Sequence, residues 1–172
     1  MTDAFDLKQH IADVPNFPIE GVNFRDIAPL LQTHFEETID AMDALFTKDE
    51  IQKVDCFAGL DARGFIFASA MAARHGKNLL VIRKGGKLPP PVIGREYDLE
   101  YGSARIEIKP GQGRVIIVDD LIATGGSMLA AADLCKEAGY EVLAMACLID
   151  LTFLNDFEWN GQTVRSAVQY HD

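Results

Sequence analysis

The chain has 172 residues, 48% hydrophobic and 24% charged, and a formal net charge of −10. That size is expected to form a single domain burying roughly 70% of its unfolded surface, and the acidic balance argues against non-specific nucleic-acid binding. No apolar run approaches the ~20 residues of a membrane span, and the opening MTDAFDLKQH lacks the basic and apolar regions of a secretory leader.

In chain order, residues 6–12 read as a short helix, followed by an irregular Pro- and Gly-bearing connection, VPNFPIEGVNFRDIAPLL. Phe35, Ile39, Met42 and Phe46 recur at helical spacing, so a helix is expected over residues 34–46. Residues 54–59 then read as a short buried strand. A helix over residues 64–75 is apolar nearly all round (FIFASAMAA), so both its faces are expected to be covered. Residues 78–82 give another strand, and residues 85–96 a Gly/Pro-rich loop. ARIEIK (residues 104–109) alternates charged and apolar residues, as an antiparallel or edge strand with one solvated face does.

The β-branched run Val115 to Val118 predicts a central parallel strand buried on both sides. It runs into Asp119 and Asp120, and a helix follows from about Ser127 to a stop at Gly139. Residues 140–149 supply the next strand of a βαβ unit. The alternation of elements predicts a doubly wound α/β domain with a mainly parallel sheet, which binds ligands beyond the carboxyl ends of its strands. Cys56, Cys135 and Cys147 are odd in number and without C-x-x-C spacing, which suits buried reduced thiols in a cytoplasmic protein. No motif is read in the tail DFEWNGQTVRSAVQYHD, where Trp159 and Tyr170 are expected to pack rather than react.

The stretch VIIVDDLIATGGSM carries the chemistry. Successive backbone N–H groups of Ala123, Thr124, Gly125, Gly126 and Ser127, at the start of a helix, would make a concave anion site. The hydroxyls of Thr124 and Ser127 add donors. There is neither a G-x-x-x-x-G-K-[ST] loop nor a G-x-G-x-x-G fingerprint, so a single monophosphate is the expected ligand. Two acceptor-only carboxylates just upstream, Asp119 and Asp120, would suit the cis hydroxyls of a ribose. The stretch therefore reads as a ribose-5-phosphate cradle. The plain alternative is an ordinary strand–turn–helix with an incidental glycine pair. Arg83, Lys84 and Lys87 in VIRKGGKLP concentrate positive charge within an acidic chain, although a solvated basic loop would look the same.

VIIVDDLIATGGSM resembles the phosphoribosyl-pyrophosphate (PRPP) motif of the type I phosphoribosyltransferases. FPIEGVNFRDIAPLL, AGLDARGFIFA, VIRKGGKLP, YDLEYG and LIDLT resemble, in order, segments of the members that use adenine. The resemblance covers residues 14–152. It implies one phosphoribosyltransferase domain over residues 1–172, with an N-terminal base-binding hood over residues 1–33 and a mobile lid loop over residues 84–103. The implied reaction is purine salvage: transfer of the 5-phosphoribosyl group of PRPP to N9 of adenine, giving AMP and pyrophosphate, with Mg²⁺ carried by PRPP rather than held directly by the protein. A homodimer is also implied.

By the same resemblance, pyrophosphate is bound by Asp61, Ala62, Arg63, Arg83, Lys84 and Lys87, with a cis peptide at Asp61–Ala62. Glu100 of the lid is the general base for adenine, with Tyr101 beside it, and Asp119 and Asp120 favour positive charge developing on the ribose. Adenine is read by Asn23, Phe24, Arg25 and Arg63, with Phe24 and Leu151 sandwiching the ring, although Phe24 would serve equally as a core residue. Pro89-Pro90-Pro91 makes the lid stiffer than the resemblance implies, and Asn23 stands where an aliphatic residue is common. The rival readings are a phosphoribosyltransferase for another purine and a non-catalytic PRPP-sensing regulator.

Overall fold

The computed structural model describes residues 5–99 and 101–172. They fall into two compact units, Met1–Ala41 and Met42–Asp172.

The first unit opens with a 3₁₀ turn, Leu7–His10, whose first amides are capped by Asp6. Strands β1 (Ala12–Pro15) and β2 (Asn23–Asp26) then pair antiparallel, with Val14 opposite Phe24. Helix α1 (Ala28–Thr33) and helix α2 (Phe35–Asp43) follow, burying Leu30 and Ile39. The sequence reading had an irregular connection where this hairpin lies. Proline and glycine here sit in the turn without abolishing the pairing: the Phe17 N–H donates to the Val22 carbonyl and the Gly21 N–H to Asn16 Oδ1.

The second unit is a seven-stranded sheet. Helix α3 (Lys48–Lys53) precedes it, started by a capping box in which Thr47 and Glu50 satisfy each other's backbone N–H. Strand β3 (Cys56–Leu60), helix α4 (Gly64–His75) and strand β4 (Asn78–Lys84) form the first crossover. Strands β5 (Ile93–Asp98) and β6 (Ser103–Ile108) form an antiparallel hairpin. Strand β7 (Gly113–Ile122), helix α5 (Gly126–Glu137) and strand β8 (Tyr140–Leu151) form the second crossover, and strand β9 (Val164–Tyr170) runs parallel to β8. The spatial order is β5-β6-β4-β3-β7-β8-β9.

Sequence and structure differ here in physically simple ways. The Gly/Pro-rich loop expected over residues 85–96 gives way to β5 from Ile93, because its backbone finds a partner in β6. The tail read as featureless contributes β9: only half its residues need to be apolar to occupy an edge. The acids lie inside β7 rather than beyond it, since pairing with β8 continues to Ile122. Helix α4 is covered less evenly than expected, with Phe67, Ala68, Met71 and Ala72 buried but Phe65 and Ile66 only half-buried.

Successive side chains alternate across the sheet. Val115 and Ile117 join the cluster under α5 with Ala58, Met128, Ala131 and Cys135, while Phe57 stacks on His75 at the end of α4. Burial raises the thiols of Cys56 and Cys135 to about 11 and about 12, which leaves them inert at neutral pH. No described helix is long and apolar enough to cross a membrane.

Candidate active site

The topology selects the place. From β3 the chain crosses through α4 to β4 on one side, whereas β7, on the other side of β3, sends its crossover away to β8. Connections leaving two adjacent parallel strands in opposite directions open a crevice at their carboxyl ends. Both turns with the expected chemistry lie there. A cleft of about 470 Å³ is lined by Asp61, Ala62 and Arg63 after β3, by Lys84 at the end of β4, and by residues 119–128 from β7 through its turn into α5.

Both helices that start at this cleft begin without a side-chain cap. The N-cap of α4 is Arg63 and that of α5 is Gly125, and neither side chain hydrogen-bonds the first-turn amides. The contrast with α3, whose N-terminus is fully capped, is informative. At α4 the Phe65 and Ile66 N–H groups turn back onto the Ala62 and Arg63 carbonyls, whereas the glycine-led start of α5, with the helix dipole behind it, suits an anion. Gly125 adopts φ 93°, a left-handed conformation that lets the turn fold back tightly. Gly64 serves a different need: a Cβ there would lie 2.8 Å from the Val118 carbonyl oxygen and 3.1 Å from Asp119 Oδ1. Its absence lets the start of α4 rest directly on β7.

The charges are organised around two carboxylates. Asp120 is 8% exposed, and its Oδ2 lies 2.7 Å from Arg63 Nε. The Asp120 backbone N–H donates to Asp119 Oδ1 at 2.8 Å. Burial, then the charge of Asp120, push the Asp119 carboxyl well above the usual carboxylate range, while Arg63 pulls it back. A buried acid pair of this kind gains from donors that favour its charged form, and a ribose diol supplies two. Asp61, in the cis peptide Asp61–Ala62, uses its Oδ2 to accept from Arg83 Nε and from the Lys84 backbone N–H, both at 3.3 Å. The second basic residue of that strand, Lys84, lines the cleft wall.

Of the residues predicted from sequence, Asp61, Ala62, Arg63, Lys84, Asp119, Asp120, Ala123, Thr124, Gly125, Gly126 and Ser127 share this one cleft. Arg83 does not line it; its guanidinium pairs with Asp61 and lies over the Phe65 ring. Lys87 sits in the exposed turn after β4, its N–H donating to the Lys84 carbonyl. Leu151 ends β8. Asn23, Phe24 and Arg25 lie on β2 in the other unit, where Phe24 packs edge-on against Phe17 and Arg25 pairs with Asp13. Tyr101 is 87% exposed, and Glu100 lies outside the described residues.

Chain comparisons agree with this geometry. The family model of the phosphoribosyl transferase domain matches residues 31–152. An adenine phosphoribosyltransferase of Hydrogenovibrio crunogenus is 55% identical over 96% of this chain and 97% of its own length. The chain belongs to the adenine phosphoribosyltransferase family. Its mouse relative of the same name is 45% identical over 89% of this chain and 88% of its own length. Among solved structures, the adenine phosphoribosyltransferase of Rhodothermus marinus superposes with a TM-score of 0.82 at 36% identity, covering 95% of this chain and 96% of its own. The Saccharomyces cerevisiae enzyme, determined with an imino-altritol 1,6-bisphosphate and adenine, gives 0.84 at 35% identity, covering 94% and 96%.

Within that family frame, two residues to which the sequence assigns no role stand next to the Ala123–Ser127 turn. Tyr97 on β5 meets Ser127, the hydroxyl Oγ donating to the phenol oxygen at 3.4 Å. Asn155, past β8, donates to the Ala123 carbonyl at 2.9 Å. Tyr97 stood within the YDLEYG stretch but carried no spacing signal, and Asn155 acquires its role only through the turn that follows β8.

Proposed function

We propose that this protein transfers the 5-phosphoribosyl group of PRPP to N9 of adenine, giving AMP and releasing pyrophosphate, as a step of purine salvage. The observation that carries the reading is the shared cleft. It offers the uncapped start of α5 to an anion, a carboxylate pair to a diol, and Arg63 and Lys84 to a leaving group. The Ala123–Ser127 amides and hydroxyls hold the 5-phosphate, and Asp119 and Asp120 take the ribose hydroxyls. Residues 61–63 with Lys84, supported by Arg83 and Lys87, hold pyrophosphate. The imino-sugar bisphosphate and adenine of the yeast relative support a sugar phosphate and that base as ligands.

As the C1–oxygen bond to pyrophosphate lengthens, positive charge grows on the ribose, and the Asp119–Asp120 pair beside it stabilises that charge. Glu100 accepts the N9 proton of adenine, and residues 84–103 close over the cleft to exclude water, which would otherwise consume PRPP. The residues fit Mg²⁺ as a passenger of the substrate. No described group of three or more metal-ligating side chains exists, and a hydrated Mg²⁺ binds through substrate phosphates with one or two carboxylates. When bound, it neutralises the leaving pyrophosphate. The same reading makes the protein cytoplasmic and homodimeric.

The test is a spectrophotometric assay with PRPP, Mg²⁺ and, separately, adenine, hypoxanthine, guanine and xanthine, with Asp119→Asn/Asp120→Asn as control. AMP from adenine alone, lost in the variant, is expected. Turnover of an oxopurine would overturn the base assignment. PRPP binding without turnover of any base would replace the enzyme with a sensor.

A further inference from the structure

Asn155 joins two segments that the family motifs treat separately, the turn at Ala123 and the end of β8 at Asp150–Leu151. Its Nδ2 donates to the Ala123 carbonyl at 2.9 Å, to Asp150 Oδ1 at 3.0 Å and to the Leu151 carbonyl at 3.1 Å. Its Oδ1 accepts the Phe157 backbone N–H at 3.2 Å. That acceptance fixes which way the amide points, because an oxygen must face an N–H and the NH₂ must face the three acceptors. Asp150 is only 8% exposed, so its carboxylate depends on such a donor.

The same segment supports the turn from a second side. A Cβ on Gly125 would fall 2.9 Å from Phe157 Cδ2, so the Phe157 ring is packed directly beneath the left-handed glycine. Asn155 and Phe157 thus hold the first and third residues of the phosphate turn, one by hydrogen bond and one by contact. Helix α5 offers no cap side chain of its own to set that turn. We propose that Asn155 is a positioning residue for the phosphate turn: it fixes the Ala123 carbonyl so that the amides that follow converge on the 5-phosphate.

This rests on the transferase reading above, and the experiment separates the two. Asn155→Asp keeps the size but turns the donor into an acceptor facing Asp150 and two carbonyls; Asn155→Ala removes the group without adding charge. Both are assayed at 25 °C beside the wild-type protein, with PRPP varied at saturating adenine and adenine varied at saturating PRPP, and melting is followed separately. The expected result is a KM for PRPP raised by roughly 10- to 100-fold in Asn155→Asp, and less in Asn155→Ala. The KM for adenine stays within about twofold, because one turn has moved rather than the whole site. A wild-type protein without turnover sinks the transferase reading. A working wild type with KM for PRPP unchanged in folded Asn155→Asp overturns the inference, as does an equal rise in both KM values. If Asn155→Asp does not fold, Asn155→Ala is judged by the same two KM values.

Discussion

Gly64→Ala is the sharpest probe of how the cleft is built. Two terms oppose each other. Alanine is favoured over glycine in a helix by about 1 kcal/mol. Against this, the new Cβ would stand 2.8 Å from the Val118 carbonyl oxygen and 3.3 Å from the Asp119 Cα, both inside the 3.4 Å where ordinary contact begins. These neighbours are backbone, so α4 and β7 must part by a few tenths of an ångström, a strain of about 1–3 kcal/mol. The net destabilisation is thus about 0–2 kcal/mol, or a fall in Tm of at most roughly 8 °C for a chain of this size. Activity moves further, because the parted backbones carry Arg63 on one side and Asp119 and Asp120 on the other. Displacement at a reacting centre costs about 10²-fold per ångström, so kcat/KM for AMP formation should drop by roughly tenfold. Melting followed by circular dichroism, beside the spectrophotometric assay, gives both numbers. A Gly64→Ala protein with wild-type kcat/KM would show that the close approach of α4 to β7 does not set the site.

Other substitutions carry equally definite expectations. Asp119 has its folded pKa raised, so its ionised form opposes folding above that pKa and the opposition fades as pH falls through it. Asp119→Asn should therefore melt higher than wild type at pH 8, lose that advantage on acidification, and be nearly inactive throughout; a lower Tm at pH 8 would contradict the assignment. Glu50 is held down to about 2, first by its hydrogen bonds from Arg165, at 2.7 Å to each oxygen. Its contribution is present above the unfolded carboxylate pKa and lost as pH falls toward 2, so Arg165→Met should destabilise by about 1 kcal/mol at pH 7, discounted for partial exposure. Thermal melts from pH 7 to pH 3 should show that difference shrinking. Lys84→Met should raise the KM for PRPP by roughly tenfold and lower pyrophosphate affinity in parallel, as read by product inhibition.

Much of this was legible in the sequence because it rests on local signals. The β-branched run before Asp119 and Asp120 marks a strand buried on both faces, and the glycine turn before an apolar stretch marks the start of a helix at the cleft. The first-unit hairpin is not legible because its prolines and glycine weaken strand propensity, while the pairing is made by backbone contacts across the turn. β9 was missed because an edge strand draws its stability from its partner rather than from its own pattern. Asn155 could not be found at all. An asparagine among loop residues gains meaning only when the Ala123 turn and the end of β8 converge on its amide.

The adjacency of β3 and β7 has one more consequence. Backbone hydrogen bonding holds neighbouring strands about 4.8 Å apart, and each of these two ends in a turn that lines the cleft. The sheet therefore acts as a gauge whose jaws cannot slide. On the proposed reading, a sugar bearing phosphates at its two ends would be measured against that fixed frame. The strands that carry the two turns are thus fixed by the sheet, ahead of any side-chain choice within the loops.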